Sequence, residues 1–484
     1  MKGRVWPVAV NRRLVVAMLA LGLALVPGCW SRKEINEITF ISAVGLDRAE
    51  EGIRLTVQVA KPSQFPGAGG GGGGGGGGME RPVWLASVTG STVFEAVKRL
   101  QEMSPRLPFF SHSMVYVIGE DLARAGIGPV LDWLDRSQEP RRTAWLLVAR
   151  GEARDILAAR TELERLPSRG INAIMDFIPA ASTALVPTRL GDFLERLSSR
   201  TTQPVAGAIQ LWENPGAVTQ AQIGGPPGGG GGGGGGRRGL GTGGGGGAGT
   251  AAAPPPVPRE LRVVGTAVFR GDKLAGFLDE RETRGLLWVL GEVRGGAVVI
   301  DRVPPASSAG KAVSAANRAQ GGPGRGGGTG EAPMTPGEEG RRERLTLEVI
   351  RARGRIMAEW MGDNPSITVK VEEEGNVMEV MPPRDIARRE VLKALEREMA
   401  RATRGEVEAV LARAQGEWGL DIFGFGEALF RKDPRKWTKV EKEWPALFRR
   451  LPVQVQVETR LRRTGMTAQG SQYDQKIGGG GEGR

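Results

Sequence analysis

Hydrophobic and polar residues alternate along several stretches of this chain, and along others the apolar positions recur every three or four residues. Phe40 to Leu46, followed by Ile53, Leu55, Val57 and Val59 set against Arg54, Thr56 and Gln58, predicts two strands around a turn at Glu50-Glu51-Gly52. Such alternation belongs to a sheet with one buried face. Ser91 to Met103 places Val93, Ala96, Val97 and Leu100 at helical spacing, with Ser91 or Thr92 able to cap the first turn. Beyond it the pattern predicts a strand from Met114 to Ile118, helices carrying Leu122, Ile127, Val130, Leu131 and Leu134, a strand from Ala144 to Ala149, and a helix from Ala153 to Ala159. That β-α-β-α order is the signature of an α/β layer arrangement. An amphipathic helix around Leu190 to Leu197 and a strand from Val205 to Leu211 close the first half.

In the second half, Val263 to Phe269 is expected as a strand, Arg270-Gly271-Asp272 as a turn, and Asp279-x-x-Glu282 ahead of Leu286 and Leu287 as a helix N-terminal cap. Leu345, Leu347 and Val349, and later Ile367, Val369 and Val371, mark two further strands. From Arg384 a long helix is signalled by Ile386, Val391, Leu395, Met399 and Ala402, and continues through Val407, Val410, Leu411 and Ala414. The last strand has Val453, Val455, Val457, Thr459 and Leu461 on one face and Gln454, Gln456, Glu458, Arg460 and Arg462 on the other. Three segments interrupt this patterning: Gly69 to Gly78, Asn214 to Pro258, and Val303 to Arg342. Glycine buries nothing and is costly to order, so these are expected to be loops or linkers.

The amino-terminal stretch has a different character. Lys2, Arg4, Arg12 and Arg13 precede an uncharged apolar run from Leu14 to Val26, and Gly28-Cys29 follows, which is the layout of an export signal. A membrane span needs about 20 apolar residues, so a cleaved signal is the expected outcome. Cys29 is the only cysteine of 484 residues, and Val26-Pro27-Gly28-Cys29 sets it where a bacterial lipobox holds its lipid-accepting thiol. An ordinary secretory signal ending at a cysteine, or a buried free thiol, is the plainer alternative.

Composition narrows the chemistry further. With Cys29 acylated no thiol remains, which excludes disulfides, thiolate metal sites and cysteine nucleophiles together. The single histidine, His112, leaves no basis for a histidine zinc cluster and little for a histidine-centred triad. The formal net charge of +12 is scattered and not gathered into a basic run interleaved with aromatics, so nucleic acid is excluded as the expected partner. A modest attraction to an anionic membrane surface, roughly 1 kcal/mol per nearby basic residue, fits better.

A few residues invite sharper readings. His112 could sense pH, although a hydrogen-bonded structural histidine is the simpler role. Asp279, Glu280 and Glu282 could form an acid/base pair, but capping and a solvated turn account for them. The glycine runs lack the Gly-x-x-x-x-Gly-Lys-Ser/Thr pattern of a phosphate loop. Trp418, Phe423, Phe425, Phe430, Trp437 and Trp444 are expected mostly in the core, with a few at an interface. Arg449, Arg450, Arg460, Arg462 and Arg463 are expected on a solvated sheet face, with lipid headgroups as the sharper alternative.

Three long blocks carry a resemblance. CWSRKEINEITFISAVGLDRAEEGIRLTVQVAKPS at the start, GTAVFRGDKLAGFLDERETRGLLW in the middle, and DIFGFGEALFRKDPRKWTKVEKEWPALFRRLPVQVQVETRLRRTGM at the end resemble the Ger(x)C spore germination lipoproteins, the C subunits of nutrient germinant receptors. The likeness extends over nearly all the chain outside the three glycine-rich insertions. It implies an α/β (α+β) fold, a multi-domain assembly of mixed sheets packed with helices, and no known catalytic centre. It also implies a lipoprotein on the outer face of the spore inner membrane beside two integral-membrane receptor subunits, one transporter-like. Lipid attachment at Cys29 carries over; the resemblance supplies no ligand-binding residue, metal or cofactor.

The organisation expected on this basis is a signal at 1–28, an N-terminal α/β domain at 29–212 with a glycine-rich loop at 67–78, and a Gly/Pro-rich linker at 213–258. A middle strand-helix segment at 259–302, a glycine-rich insertion at 303–342, a C-terminal α/β domain at 343–466 and a polar tail at 467–484 follow. The leading functional expectation is a non-enzymatic receptor subunit. A solute-binding lipoprotein that captures the germinant, and a cell-wall hydrolase, are the rivals.

Overall fold

The computed structural model describes residues 37–60, 83–159, 166–181, 185–213, 259–301, 344–381 and 389–464, with the isolated positions 13, 16, 17 and 164. The rest of the signal, Cys29, the glycine-rich loop at 67–78, the linker beyond Glu213, the insertion at 303–342, the start of the long helix at Arg384 and the tail at 467–484 lie outside the described residues. Within them the fold is the expected mixed α/β arrangement, in two sheets.

The first sheet has β1 (Ile38–Arg48), β2 (Ile53–Ala60), β3 (Val83–Gly90), β4 (Leu107–Phe109), β5 (Val115–Ile118), β6 (Trp145–Ala149), β7 (Val205–Glu213), β8 (Arg259–Arg270) and β9 (Lys273–Leu278). Its order is β3-β2-β1-β5-β6-β7-β8-β9, with β4 beside the beginning of β1. The centre, β1-β5-β6-β7, is parallel, and the wings are antiparallel. Parallel neighbours need crossovers, and helices supply them: α1 (Val93–Met103), α2 (Glu120–Ala125), α3 (Gly128–Arg136), α4 (Ala153–Ala158), α5 (Pro167–Ala181) and α6 (Leu190–Ser198). Because helices cover both faces, β5 and β6 are buried at every position, which is why they read as unbroken apolar runs.

Alternate residues of those strands serve different layers. Tyr116, Ile118, Leu146 and Val148 join a core with Leu100, Leu122, Leu131 and Phe193 of α1, α2, α3 and α6. Val115, Val117, Leu147 and Ala149 join the opposite core with Ile156 and Leu157 of α4 and Ile171 and Met175 of α5. The α1 cap forms as the sequence implied: Thr92 Oγ1 accepts the Glu95 N–H at 3.1 Å, and the Glu95 carboxylate accepts the Ser91 N–H at 2.8 Å.

The second sheet is β10 (Ala297–Asp301), β11 (Arg344–Met361), β12 (Asn364–Met381) and β13 (Val453–Thr464), in that order. β11 and β12 form a long hairpin turning at Gly362 (φ 63°), and β13 returns parallel to β12. The register shifts between Val349 and Arg351, and this bulge reverses the phase of β11. Leu345, Leu347 and Val349 face inward before it, and Ala352, Ile356 and Ala358 after it, while Arg351, Arg353 and Arg355 face water.

Two helices cover the inner face of this sheet. α7 (Glu280–Leu290) enters from β9 and leaves toward β10, so it bridges the two sheets, and the segment 259–301 contributes strands to both. α8 (Arg389–Leu411) crosses it and widens into a π turn, Ala412–Trp418, that ends at Gly419 (φ 64°). Short helices α9 (Phe425–Lys432), α10 (Pro434–Val440) and α11 (Trp444–Arg449) lead to β13. α7 and α8 touch backbone to backbone: a Cβ on Gly285 would lie 2.1 Å from the carbonyl oxygen of Glu406.

That clearance sets an expected outcome. Gly285→Ala forces α7 away from α8 and lowers stability by about 1–3 kcal/mol or more, as overpacking does. Gly416→Ala, where a Cβ meets nothing within 4 Å, is near neutral or mildly stabilising. Denaturant midpoints of the two variants check the contrast.

Candidate functional site

The residues that the sequence singles out are spread over separate parts of the fold. His112 ends a 3-10 turn, Phe110–His112, just ahead of β5, and is exposed. Among the described residues, ring contacts set its position: its imidazole meets Phe40 edge-on at 4.8 Å and lies 5.7 Å from Phe109. Asp279 and Glu282 form a reciprocal cap on α7, with Asp279 Oδ1 accepting the Glu282 N–H at 2.7 Å and Glu282 Oε2 accepting the Asp279 N–H at 3.0 Å. Glu280 pairs with Arg262. The three carboxylates thus serve the helix start and the surface.

Five of the six aromatic residues are buried, and Phe430 is the exposed one. Phe423 stacks on Phe425 at 4.8 Å, and Trp437 meets Trp444 at 5.1 Å. Arg462 lies on β13 and pairs with Glu374 at 2.7 Å. Arg449 departs from the expected sheet face because it ends α11. Its guanidinium donates to the carbonyls of Gly416 at 2.8 Å and Trp418 at 3.1 Å, closing the open end of the π turn.

Four buried carboxylates went unread in the sequence: Asp47, Glu373, Glu406 and Asp421. Asp47, at the end of β1, accepts the first N–H groups of α4, Ala153 at 2.7 Å and Arg154 at 2.9 Å. Asp421 accepts the N–H groups of Phe423, Gly424, Phe425 and Gly426 at 2.8 to 3.2 Å, folding the chain into α9. Burial pushes both carboxyls above the ordinary value, against the pull of those donors. Glu406, on the apolar stripe of α8, receives Arg284 Nε and Trp288 Nε1, each at 2.9 Å, from α7. Glu373 receives the hydroxyl of Thr403 from α8 at 2.9 Å and that of Thr459 from β13. A signal for two of them was present: Glu373 continues the inward phase of Ile367, Val369 and Val371, and Glu406 precedes Val407 on the apolar face.

A cleft of about 310 Å³ opens where the layers of the two sheets meet, lined by Thr188, Asp192, Glu195, Arg196, Glu292 and Glu427 among others. It is at the small end of ligand-site volumes. Arg196 of α6 is steered by a hydrogen bond to the Ile422 carbonyl at 3.2 Å. Burial lowers its pKa from the ordinary guanidinium value, with Glu292, Asp192 and Asp421 opposing the shift. Burial likewise raises Glu292, against Arg196. Among the described residues no group of three or more His, Cys, Asp or Glu side chains is placed to hold a metal ion, and no helix is long and apolar enough to cross a membrane.

Most of both sheets falls within stretches that match one family. Residues 31–211 match the Spore germination protein N-terminal domain, and residues 264–316 and 325–465 match the Spore germination B3/GerAC-like C-terminal region. The chain belongs to the GerAC-like, or Ger(x)C, family of spore germination proteins. Among its relatives, it is 26% identical over 464 residues to Spore germination protein KC of Bacillus subtilis (strain 168), covering 94% of this chain and 97% of that one. It is 21% identical over 429 residues to Spore germination protein B3 of the same organism, covering 87% and 90%. The crystal structure of the GerBC protein aligns with a TM-score of 0.47 at 17% identity, over 88% of this chain and 99% of that chain.

The buried Glu373 makes stability depend on pH. Burial pushes its carboxyl up to about 7; the Thr459 and Thr403 hydroxyls pull the other way, and Glu406 adds to the rise. Between the ordinary value of 4.5 and about 7 the folded chain therefore holds a proton that the unfolded chain has lost. Its contribution is fully present below 4.5 and declines as pH rises through 7. Glu373→Gln removes this decline, and the drop in unfolding free energy between pH 5 and pH 8 becomes smaller by roughly 3 kcal/mol. Urea unfolding of both proteins at the two pH values measures it, and equal drops would refute the assignment.

Proposed function

We propose that this chain is the non-enzymatic lipoprotein subunit of a spore nutrient germinant receptor. A diacylglyceryl thioether on Cys29 holds it on the outer face of the spore inner membrane. There its two-sheet body supports two integral-membrane subunits, one transporter-like, in triggering germination. The observation that carries the reading is the family match over both halves of the chain, and the order Val26-Pro27-Gly28-Cys29 supports the anchor. Acyl chains contribute about 0.8 kcal/mol per buried CH₂, so one chain binds marginally and two bind firmly.

A second reading, a solute-binding lipoprotein that captures the germinant directly, draws on the cleft around Arg196. A cation flanked by Asp192, Glu195 and Glu292 offers complementary contacts to a small zwitterion.

Two measurements bear on these readings. Cys29→Ala yields a folded protein that leaves the spore membrane fraction and impairs germination by nutrients; the variant retained there at normal yield with intact germination would refute the anchoring role. Titration calorimetry of the receptor subunit with amino acids and sugars gives no heat on the first reading. Saturable heat that Arg196→Gln abolishes would favour the second.

A further inference from the structure

β1 changes partners along its length. From Ile41 onward it pairs with β2 and β5, whereas Ile38, Thr39 and Phe40 pair in parallel with Leu107, Pro108 and Phe109 of β4. Paired residues of a ladder share a face, and alternate residues return to it. Ile38, Phe40, Leu107 and Phe109 therefore line one face of a short ribbon beside the main sheet. Ile38 is buried, but Phe40 is 38% exposed, Leu107 46%, and Met103, at the end of α1, 60%. Neighbouring exposed apolar groups of this size mark a surface that something else covers.

The position of the ribbon identifies the cover. It is where the described body begins, and eight residues, 30–37, separate Cys29 from Ile38. Fully extended at about 3.6 Å per residue, that connection reaches no more than about 30 Å. On the anchored reading above, on which this inference rests, the ribbon is confined to that distance from the bilayer. Exposed Arg106 precedes Leu107 and supplies a cation for headgroup phosphates. Phe94 of α1, Phe177 of α5 and Trp212 of β7 are also exposed, but none lies on the strand that continues the tether, and Phe430 and Met361 belong to the second sheet and its short helices.

We infer that the ribbon face carrying Phe40 and Leu107 seats on the lipid surface, with these side chains at the boundary between acyl chains and headgroups, so that the first sheet is the membrane-proximal part of the molecule.

The test uses the full lipidated chain in vesicles of mixed neutral and anionic phospholipid. Because an acylated Cys29 is blocked, Leu107→Cys and, separately, Phe430→Cys each give one reactive thiol for a fluorescent label. Both positions are exposed, so neither change removes a core contact. The label at 107 is expected to be quenched by a lipid-borne quencher and spared by aqueous iodide, with the reverse at 430. Iodide quenching at 107 in vesicle-bound protein would overturn the docking and leave the anchor intact. A label at 107 shielded from both quenchers would assign the cover to protein and also overturn it. Protein that fails to float with vesicles would count against the anchor itself, and the docking would fall with it.

Discussion

A carboxylate with little water around it must be met by donors, and at Glu406 that requirement orients much of the molecule. Only 5% of the residue is exposed, and Arg284 and Trp288, one turn apart on α7, both reach it. Two donors on one helix face fix the rotation of α7, and Gly285 between them fixes its approach to α8. Since β9 leads into α7 and α7 leads to β10, this contact sets one sheet against the other. Leaving either partner unpaired costs about 3–5 kcal/mol, a large part of the stability of an ordinary domain.

A second clasp acts on the same junction. The Gln203 N–H donates to the Asp421 carbonyl at 2.7 Å, and the Gln203 side chain accepts the Gly271 N–H at 2.8 Å. Arg270 donates to the Trp418 carbonyl at 2.8 Å. The stretch after the π turn is thereby bound to the first sheet by its backbone as well as by Phe423 and Phe425 in the core.

What could be read in the sequence follows from range. The buried runs of β5 and β6, the alternation of β13, and the caps of α1 and α7 are local patterns, and each appears where the spacing puts it; β2, whose alternation implies one buried face, is instead covered on both, with Thr56 and Gln58 as buried as Leu55. The second half of β11 lies beyond the alternation of Leu345, Leu347 and Val349, because the bulge after Val349 reverses which residues face inward, and a bulge carries little signature of its own. β3, α5 and the short helices α9 to α11 carry no clear local pattern, the last three because aromatic density masks the helical spacing. Partner choice was also hidden. That β8 pairs with β7 across the intervening low-complexity stretch is a long-range fact no window contains. The candidate residues divide in the same way: the proposed anchor at Cys29 rests on a local motif, whereas the buried roles of Glu373 and Asp421 depend on elements that meet only in the fold.

The pairing of β7 with β8 has a consequence for how such a chain is made. Until residues beyond Arg259 arrive, β7 presents an open edge next to the parallel centre of the sheet, a template for misplaced strands during synthesis. The length of what lies between Glu213 and Arg259 matters far less, because each doubling of a loop adds only about 0.6 kcal/mol of closure entropy. Glycine-rich tracts can therefore lengthen or shrink at small thermodynamic cost.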